Sequence, residues 1–410
     1  MLSHTLSERW SAFRRLPHLI RPTGKTFGVC MNSGHETAAL ALYLKEEGAS
    51  VLLLQETTTI DEAVERAIEA DCHVLLFGSP ERVLDLPAPA AAREPGLLQL
   101  SSGTTGPARV IGRSWSSIET ECDAYNRALQ QGLGIEQLTP VILAPVSHSY
   151  GLICGVMSAQ RRGVTAQIED SRNPKRMLAM LREHPEHLVY GVPILLHVLD
   201  ALAGGQPVFH TLMNSGAPLT PPLFERLQRS SRRLMQQYGC SELGCISLST
   251  EAEEVQDVGL PLDTHQLSAG ASLSQPQEII VHHRPTDRRI ATGDLGSIQA
   301  GGKLVVMART DDLINVSGRK VLPSAVEHVL LDIPGVAEAV VYRGRHPVMG
   351  ERVHALVVGR EPLTEQVIQA ACRTRLPGYQ VPAQIRLVER IPRLPSGKIS
   401  RHRLTEEEQG

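Results

Sequence analysis

No uninterrupted apolar run in this chain reaches the roughly eighteen residues a membrane helix needs, so no membrane span is expected. The amino-terminal stretch carries Glu8, Arg9, Arg14 and Arg15 and lacks an apolar core segment, so no secretory leader is expected either. Basic residues are not in surplus: the formal net charge is −3, which argues against a nucleic-acid groove. Cys30, Cys72, Cys122, Cys154, Cys240, Cys245 and Cys372 are odd in number and scattered, and no C-x-x-C occurs. Reduced thiols in a cytoplasmic protein are the simplest reading, with neither a disulfide framework nor a zinc site. Internal repeats and low-complexity tracts are absent as well.

What is present is a globular composition, about 42% apolar and 21% charged, over 410 residues. That length exceeds one ordinary core, so two or more domains are expected. From Thr26 the pattern alternates: a strand at Phe27–Met31, a helix from Glu36 to Glu47 ended by Gly48, a buried strand at Val51–Leu54, a helix from Asp61 to Ala70, and a strand at His73–Phe77. This spacing implies a parallel sheet covered by helices. Residues 79–96, rich in Pro and Ala, read as a connector. Leu97–Leu100 is then a strand that delivers a glycine loop at its carboxyl end, where ligands of open α/β sheets collect. Ser116-x-x-Glu119 reads as a capping box, and Ile118, Cys122, Tyr125 and Leu129 recur at helical spacing behind it. After a Gly301-Gly302 turn and a strand through Met307 the pattern restarts. A short strand, a helix opened by Pro323, strands near 336–342 and 353–358, a helix from Thr364 and a strand at 385–389 make a small α+β unit. The expected organisation is therefore α/β: a large domain over residues 1–310 with parallel-rich sheets under helices, and a small α+β domain over 312–410, divided at Asp311.

Five short segments carry the chemistry. Residues 101–109, SSGTTGPAR, supply the hydroxyls of Ser101, Ser102, Thr104 and Thr105 and the glycines Gly103 and Gly106. Glycines let backbone N–H groups approach phosphate oxygens closely, and hydroxyls add donors. G-K-[ST] is absent from this loop and a strand is expected to follow, so it is not a Walker loop. Downstream lie Tyr238-Gly-Cys-Ser-Glu242, Thr292-Gly-Asp294, Arg309-Thr-Asp-Asp312 and Arg393-Leu-Pro-Ser-Gly-Lys-Ile-Ser-Arg401. A lone Glu suits magnesium, a hard cation that keeps most of its waters. A carboxylate such as Asp294 can accept from two vicinal hydroxyls. His282 and His283 fall on opposite faces of an expected strand and are not joint metal ligands.

In this order the five segments resemble the superfamily of acyl-CoA synthetases, peptide-synthetase adenylation domains and luciferases (the ANL adenylate-forming enzymes). The resemblance covers most of the chain, with a shorter amino-terminal region than the family usually has and with Ala108-Arg109 where its loop normally closes on Pro-Lys. It implies a mobile small domain turning about Asp311, and ATP held by the loop 101–106 and Arg109. It further implies that Ser215, Gly216 and Ala217 line the adenine, on which Tyr238 stacks, with Gly239 and Ser241 nearby and Ser241 approaching phosphate. Glu242 is implied to bind Mg²⁺, Asp294 and Arg309 to hold the ribose, and Lys398 to act as the catalytic cation. Gly318 would meet a phosphopantetheine arm. For the acid pocket the resemblance points to His148, Ser149, Tyr150, Gly191 and Val192. Amino-acid-activating relatives place an aspartate where Ser149 stands, so no carboxylate awaits an α-ammonium group.

The expected function is ATP- and Mg²⁺-dependent activation of an acyl or aryl acid as an acyl-adenylate, then transfer to a thiol. That thiol belongs to coenzyme A or to the phosphopantetheine of a carrier protein, and the sequence leaves the two open. It admits a homodimer without specifying one. A non-catalytic descendant that binds nucleotide or acyl chains is the reading from another class; the retained Glu242, Asp294, Arg309 and Lys398 argue against it.

Overall fold

The computed structural model describes residues 2–87, 94–100, 109–132, 134–135, 138–170, 173–346, 350–360, 363–393 and 399–408. After helix α1 (Leu2–Phe13), the alternation in the sequence becomes β1 (Thr26–Met31), α2 (Gly34–Glu46), β2 (Ser50–Leu53), α3 (Ile60–Glu69) and β3 (Val74–Gly78). Ser33 and Thr59 start the two helices by accepting from Glu36 N and Glu62 N, as N-cap hydroxyls do. Gly48, at φ +72°, lets the chain leave α2 in the left-handed region. The stretch expected to be only a connector contains an edge strand, β4 (Val83–Asp85), antiparallel to β3. Its Val-Leu pair, hidden among turn residues, is enough to extend the sheet edge by three residues.

Next come β5 (Gly96–Leu100), β6 (Val110–Ser114) and α4 (Trp115–Gly132). The first sheet runs β4-β3-β1-β2-β5-β6, parallel at its centre and antiparallel at both edges. The expected strand after the glycine loop is β6. The capping box, however, is not used: Ser114 Oγ accepts from Ser117 N at 3.3 Å, so α4 starts before Ser116. Glu119 instead pairs with Lys45 Nζ at 2.6 Å. Ile118, Cys122, Tyr125 and Leu129 are all fully buried, as the spacing requires.

The second sheet was not legible strand by strand. It uses β7 (Thr139–Ile142), β8 (Gln167–Ile168), β9 (His187–Gly191), β10 (Phe209–Asn214), β11 (Ser231–Cys240), β12 (Gly244–Ser249) and β13 (Leu260–Pro261). Its order is β13-β12-β11-β10-β9-β7-β8, parallel from β8 to β11, where antiparallel β12 turns the chain back. A π-helical segment (Tyr150–Met157) continues into α5 (Ser158–Arg161), while α6 (Pro174–Glu183), α7 (Pro193–Ala203) and α8 (Pro221–Ser230) cover the other face. One apolar core joins α2, α4 and the π-helical segment to the first two sheets; a second lies between the second sheet and α6–α8.

A third sheet, all antiparallel, follows as β14 (His265–Ser268), β15 (Gln277–His283), β16 (Arg288–Ile298) and β17 (Leu304–Arg309). The smaller C-terminal domain is built from β18 (Ile314–Val316), β19 (Arg319–Val321), α9 (Pro323–Leu331), β20 (Val336–His346), β21 (Gly350–Gly359), α10 (Glu365–Arg375), β22 (Gln384–Leu387) and α11 (Arg401–Glu407). Ile314, Val326, Leu330, Val341, Val353, Ile368 and Cys372 form its own core. The molecule is thus α/β with large parallel-rich sheets and a smaller C-terminal domain. Among the described residues no helix is long and apolar enough to cross a membrane.

Candidate active site

The carboxyl ends of the parallel strands open onto a cleft of about 2770 Å³ that is also lined by the C-terminal domain. Ser215, Gly216 and Ala217 reach it from the end of β10, and Tyr238 and Gly239 from the end of β11, which is parallel to β10. Gly216, at φ +88°, makes the turn that leaves the strand. Ser241 and Glu242 stand on the wall in the tight turn between β11 and β12, and Glu242 is exposed.

Asp294 and Arg309 face each other across the β16–β17 ladder, with Arg309 Nη1 3.5 Å from Asp294 Oδ1. Thr292 Oγ1 accepts from Asp294 N, and Gly293 N donates to Glu278, so the Thr-Gly-Asp bend is fixed by its own neighbours. Tyr238 donates its hydroxyl proton to Asp294 Oδ2 at 2.5 Å. Burial, with the Asp294 carboxylate beside it, holds this phenol protonated far above its usual range. Two motifs distant in sequence are therefore joined in one hydrogen-bonded wall.

Pro145 to Tyr150 line the cleft after β7. His148 Nε2 lies 2.8 Å from the Gln55 side-chain amide, which comes from the end of the first sheet. Tyr150 donates to Met213 O at 2.6 Å and packs at a tilt on Tyr190. Val192 is on the wall. Gly191 is behind it, where a Cβ would meet Leu196 at 2.5 Å. Arg109 and Asp311 also line the cleft, whereas Gly318 sits in the exposed β18–β19 turn at φ +85°. Ser101, Ser102, Gly103, Thr104, Thr105, Gly106 and Lys398 lie outside the described residues.

Three polar residues escaped the sequence reading. Asn214 ends β10 on the cleft, and its Oδ1 is buried with no hydrogen-bond partner among the described residues. Gln55 follows an apolar strand, and the buried Glu121 lies in a helix whose apolar spacing drew attention elsewhere. A polar side chain closing an apolar strand at the carboxyl edge is the signal that could have found the first two. Burial pushes the Cys30 thiol up to about 11, with Glu56 adding to it. Burial and then Glu242 push Cys240 up to about 12. Groups of three or more potential metal ligands are absent among the described residues.

Residues 26–309 match the model of the AMP-binding enzyme family, and residues 325–398 match that of the AMP-binding enzyme C-terminal domain. The chain belongs to this family. It is an AMP-forming acid–thiol ligase, which activates a carboxylic acid with ATP as an acyl-adenylate and passes the acyl group to a thiol. It is 42% identical, over 96% of its length and 94% of the relative's, to the 3,4-dihydroxybenzoate–[aryl-carrier protein] ligase of Bacillus anthracis. Two solved structures show the same fold. ATP-bound MatB from Rhodopseudomonas palustris has a TM-score of 0.83 at 18% identity, covering 98% of this chain and 93% of its own. The o-succinylbenzoate coenzyme A synthetase MenE of Bacillus subtilis, in complex with ATP and magnesium ion, has a TM-score of 0.78 at 22% identity, covering 97% and 92%.

Proposed function

We propose that this ligase activates an aryl acid bearing ring hydroxyls and loads it onto the phosphopantetheine of a carrier protein. The observation that carries this reading is the 42% identity, across nearly the whole of both chains, to a ligase that joins 3,4-dihydroxybenzoate to an aryl-carrier protein. The pocket segment agrees with it. Ser149 offers no countercharge to an α-ammonium group, the ring of Tyr150, backed by the buried Tyr190, supplies aromatic surface, and the Gln55–His148 pair presents polar groups suited to a hydroxylated ring.

In this reading the loop of Ser101 to Gly106, with Arg109, receives the phosphates of ATP, and Ser215 to Ala217 with Tyr238 and Gly239 hold the adenine. Asp294 and Arg309 take the ribose. The donor set fits: Arg309 Nε is buried with no hydrogen-bond partner among the described residues, and Asn214 Oδ1 is an equally unused acceptor on the adenine side. The exposed Glu242 carboxylate fits Mg²⁺, which is satisfied by one carboxylate and otherwise by water and phosphate. When bound, Mg²⁺ supplies positive charge to the phosphates. The acid carboxylate attacks the α-phosphorus in line, pyrophosphate departs, and Lys398 stabilises the negative charge that builds during that step.

Asp311 is the proposed boundary and hinge between residues 1–310 and 312–410. Arg343 donates to the carbonyls of Asp311 and Leu313, and Arg401 clasps Asp312 and Glu327, so the chain just past the boundary is fastened to the small domain. Rotation there would bring Gly318 and the thiol to the adenylate. The acceptor is tested by supplying the enzyme with ATP, 3,4-dihydroxybenzoate and either coenzyme A or a phosphopantetheinylated aryl-carrier protein. Thioester on the carrier protein is expected; thioester on coenzyme A alone overturns the acceptor assignment.

A further inference from the structure

We propose that the buried Arg113–Glu121 pair is a positioning device for nucleotide and metal use, tying the strand that leaves the glycine loop to the turn that carries Glu242. This rests on the reading of Glu242 as the magnesium ligand. Arg113 lies in β6, which begins directly after Arg109, and Glu121 lies in α4. Arg113 Nη2 donates to Glu121 Oε2 at 2.5 Å, and the two side chains are only 6% and 5% exposed. The other carboxylate oxygen, Oε1, accepts from Cys245 N at 2.7 Å.

Gly244 closes the turn, paired with Cys240 and held at φ +76°. A Cβ there would stand 2.2 and 2.3 Å from the two Glu121 oxygens and 2.4 Å from Arg113 Nη1. The ion pair is therefore pressed against the backbone at the base of the turn, two residues from Glu242. The other side is closed by His265, whose Nε2 lies 3.1 Å from Cys245 O and whose ring packs on His283.

Stability alone does not account for such a pair. Well-packed apolar residues in place of a buried ion pair are often as stable or more so. What apolar residues cannot do is bind the Cys245 N–H in a fixed direction while bracing the strand from the phosphate loop. Both elements must hold their places, because a displacement of about 1 Å in a positioning element costs on the order of a hundredfold in rate.

The test compares Glu121→Gln and the double variant Arg113→Met/Glu121→Leu with the parent enzyme. It reads thermal unfolding, half-saturation by Mg²⁺–ATP and half-saturation by the acid. The expected result is a rise of about tenfold or more for Mg²⁺–ATP, with the acid value changed by less than about twofold, in a double variant that unfolds at the parent's temperature. A folded variant with the parent's Mg²⁺–ATP dependence, or with equal losses for both substrates, overturns the proposal. If the double variant does not fold, Glu121→Gln, which removes the charge that holds Arg113 and so the brace between β6 and the turn, decides by the same two readings. Glu242→Gln in the same assay keeps the two ideas apart. Unchanged Mg²⁺ dependence there removes the metal reading, whereas unchanged dependence in the Glu121 variants alone removes the positioning role.

Discussion

The hydroxyl of Tyr238 donates to Asp294 Oδ2 at 2.5 Å, across a sequence separation of 56 residues. The bond does two things at once. It fixes the ring plane at the end of β11, and it occupies one oxygen of the carboxylate assigned to the ribose, leaving Oδ1 beside Arg309.

Tyr238→Phe keeps the ring and removes that constraint. A hydrogen bond to a charged group contributes about 1.5–3 kcal/mol to stability, so the variant should unfold at a lower temperature, and half-saturation by ATP should rise by about tenfold because the wall is no longer held in place. Titrating ATP at saturating acid checks this. An unchanged ATP dependence would mean that the bond does not order the nucleotide wall.

Lys398→Ala should lower adenylate formation by on the order of 10²–10³, the usual cost of losing one positioned electrostatic donor. Thioester formation from supplied acyl-adenylate should be spared, because the lysine is assigned only to the first half-reaction. The two half-reactions can be followed by pyrophosphate release and by thiol consumption. Equal losses in both would contradict the assignment.

Much of the first sheet was legible because strand and helix alternate with clear punctuation. Gly48 marks the end of the first helix, and the residues between such signals have the right period. The second sheet was not, because nothing local to β7, β9 or β10 states which strand lies beside which. The capping residue was misjudged because Ser114 and Ser116 both stand near the start of the helix, and only the path of β6 decides between them. Among the candidate residues, Tyr238, Glu242, Asp294 and Arg309 stood out through motif and resemblance. Asn214, Gln55 and the Arg113–Glu121 pair did not. Charged residues eight apart, one on a strand and one on a helix, read in sequence as two surface groups. Only the packing of α4 against β12 buries them together.

His283 makes stability depend on pH in a stated direction. Burial, the neighbouring His265 ring and the Arg113 charge lower its pKa to about 4 from a starting value of 6.5. A depressed histidine is held neutral in the folded state, whereas the unfolded chain takes up the proton once the pH falls below 6.5. Its contribution is therefore fully present above 6.5 and is lost as the pH falls toward about 4. His283→Gln should flatten the fall of unfolding temperature across that window relative to the parent. A slope identical to the parent's would show that His283 is not the group responsible.

The measurement that bears most directly on the account is acid-dependent pyrophosphate release across a panel of hydroxylated aryl acids, fatty acids and free amino acids. Ser149 provides no carboxylate partner for an α-ammonium group, and an ammonium buried without a partner costs several kcal/mol. That suppresses turnover by roughly a thousandfold or more. The account predicts the highest kcat/KM with hydroxylated benzoates such as 3,4-dihydroxybenzoate and release near background with the common amino acids. Preferential activation of a free α-amino acid would contradict it.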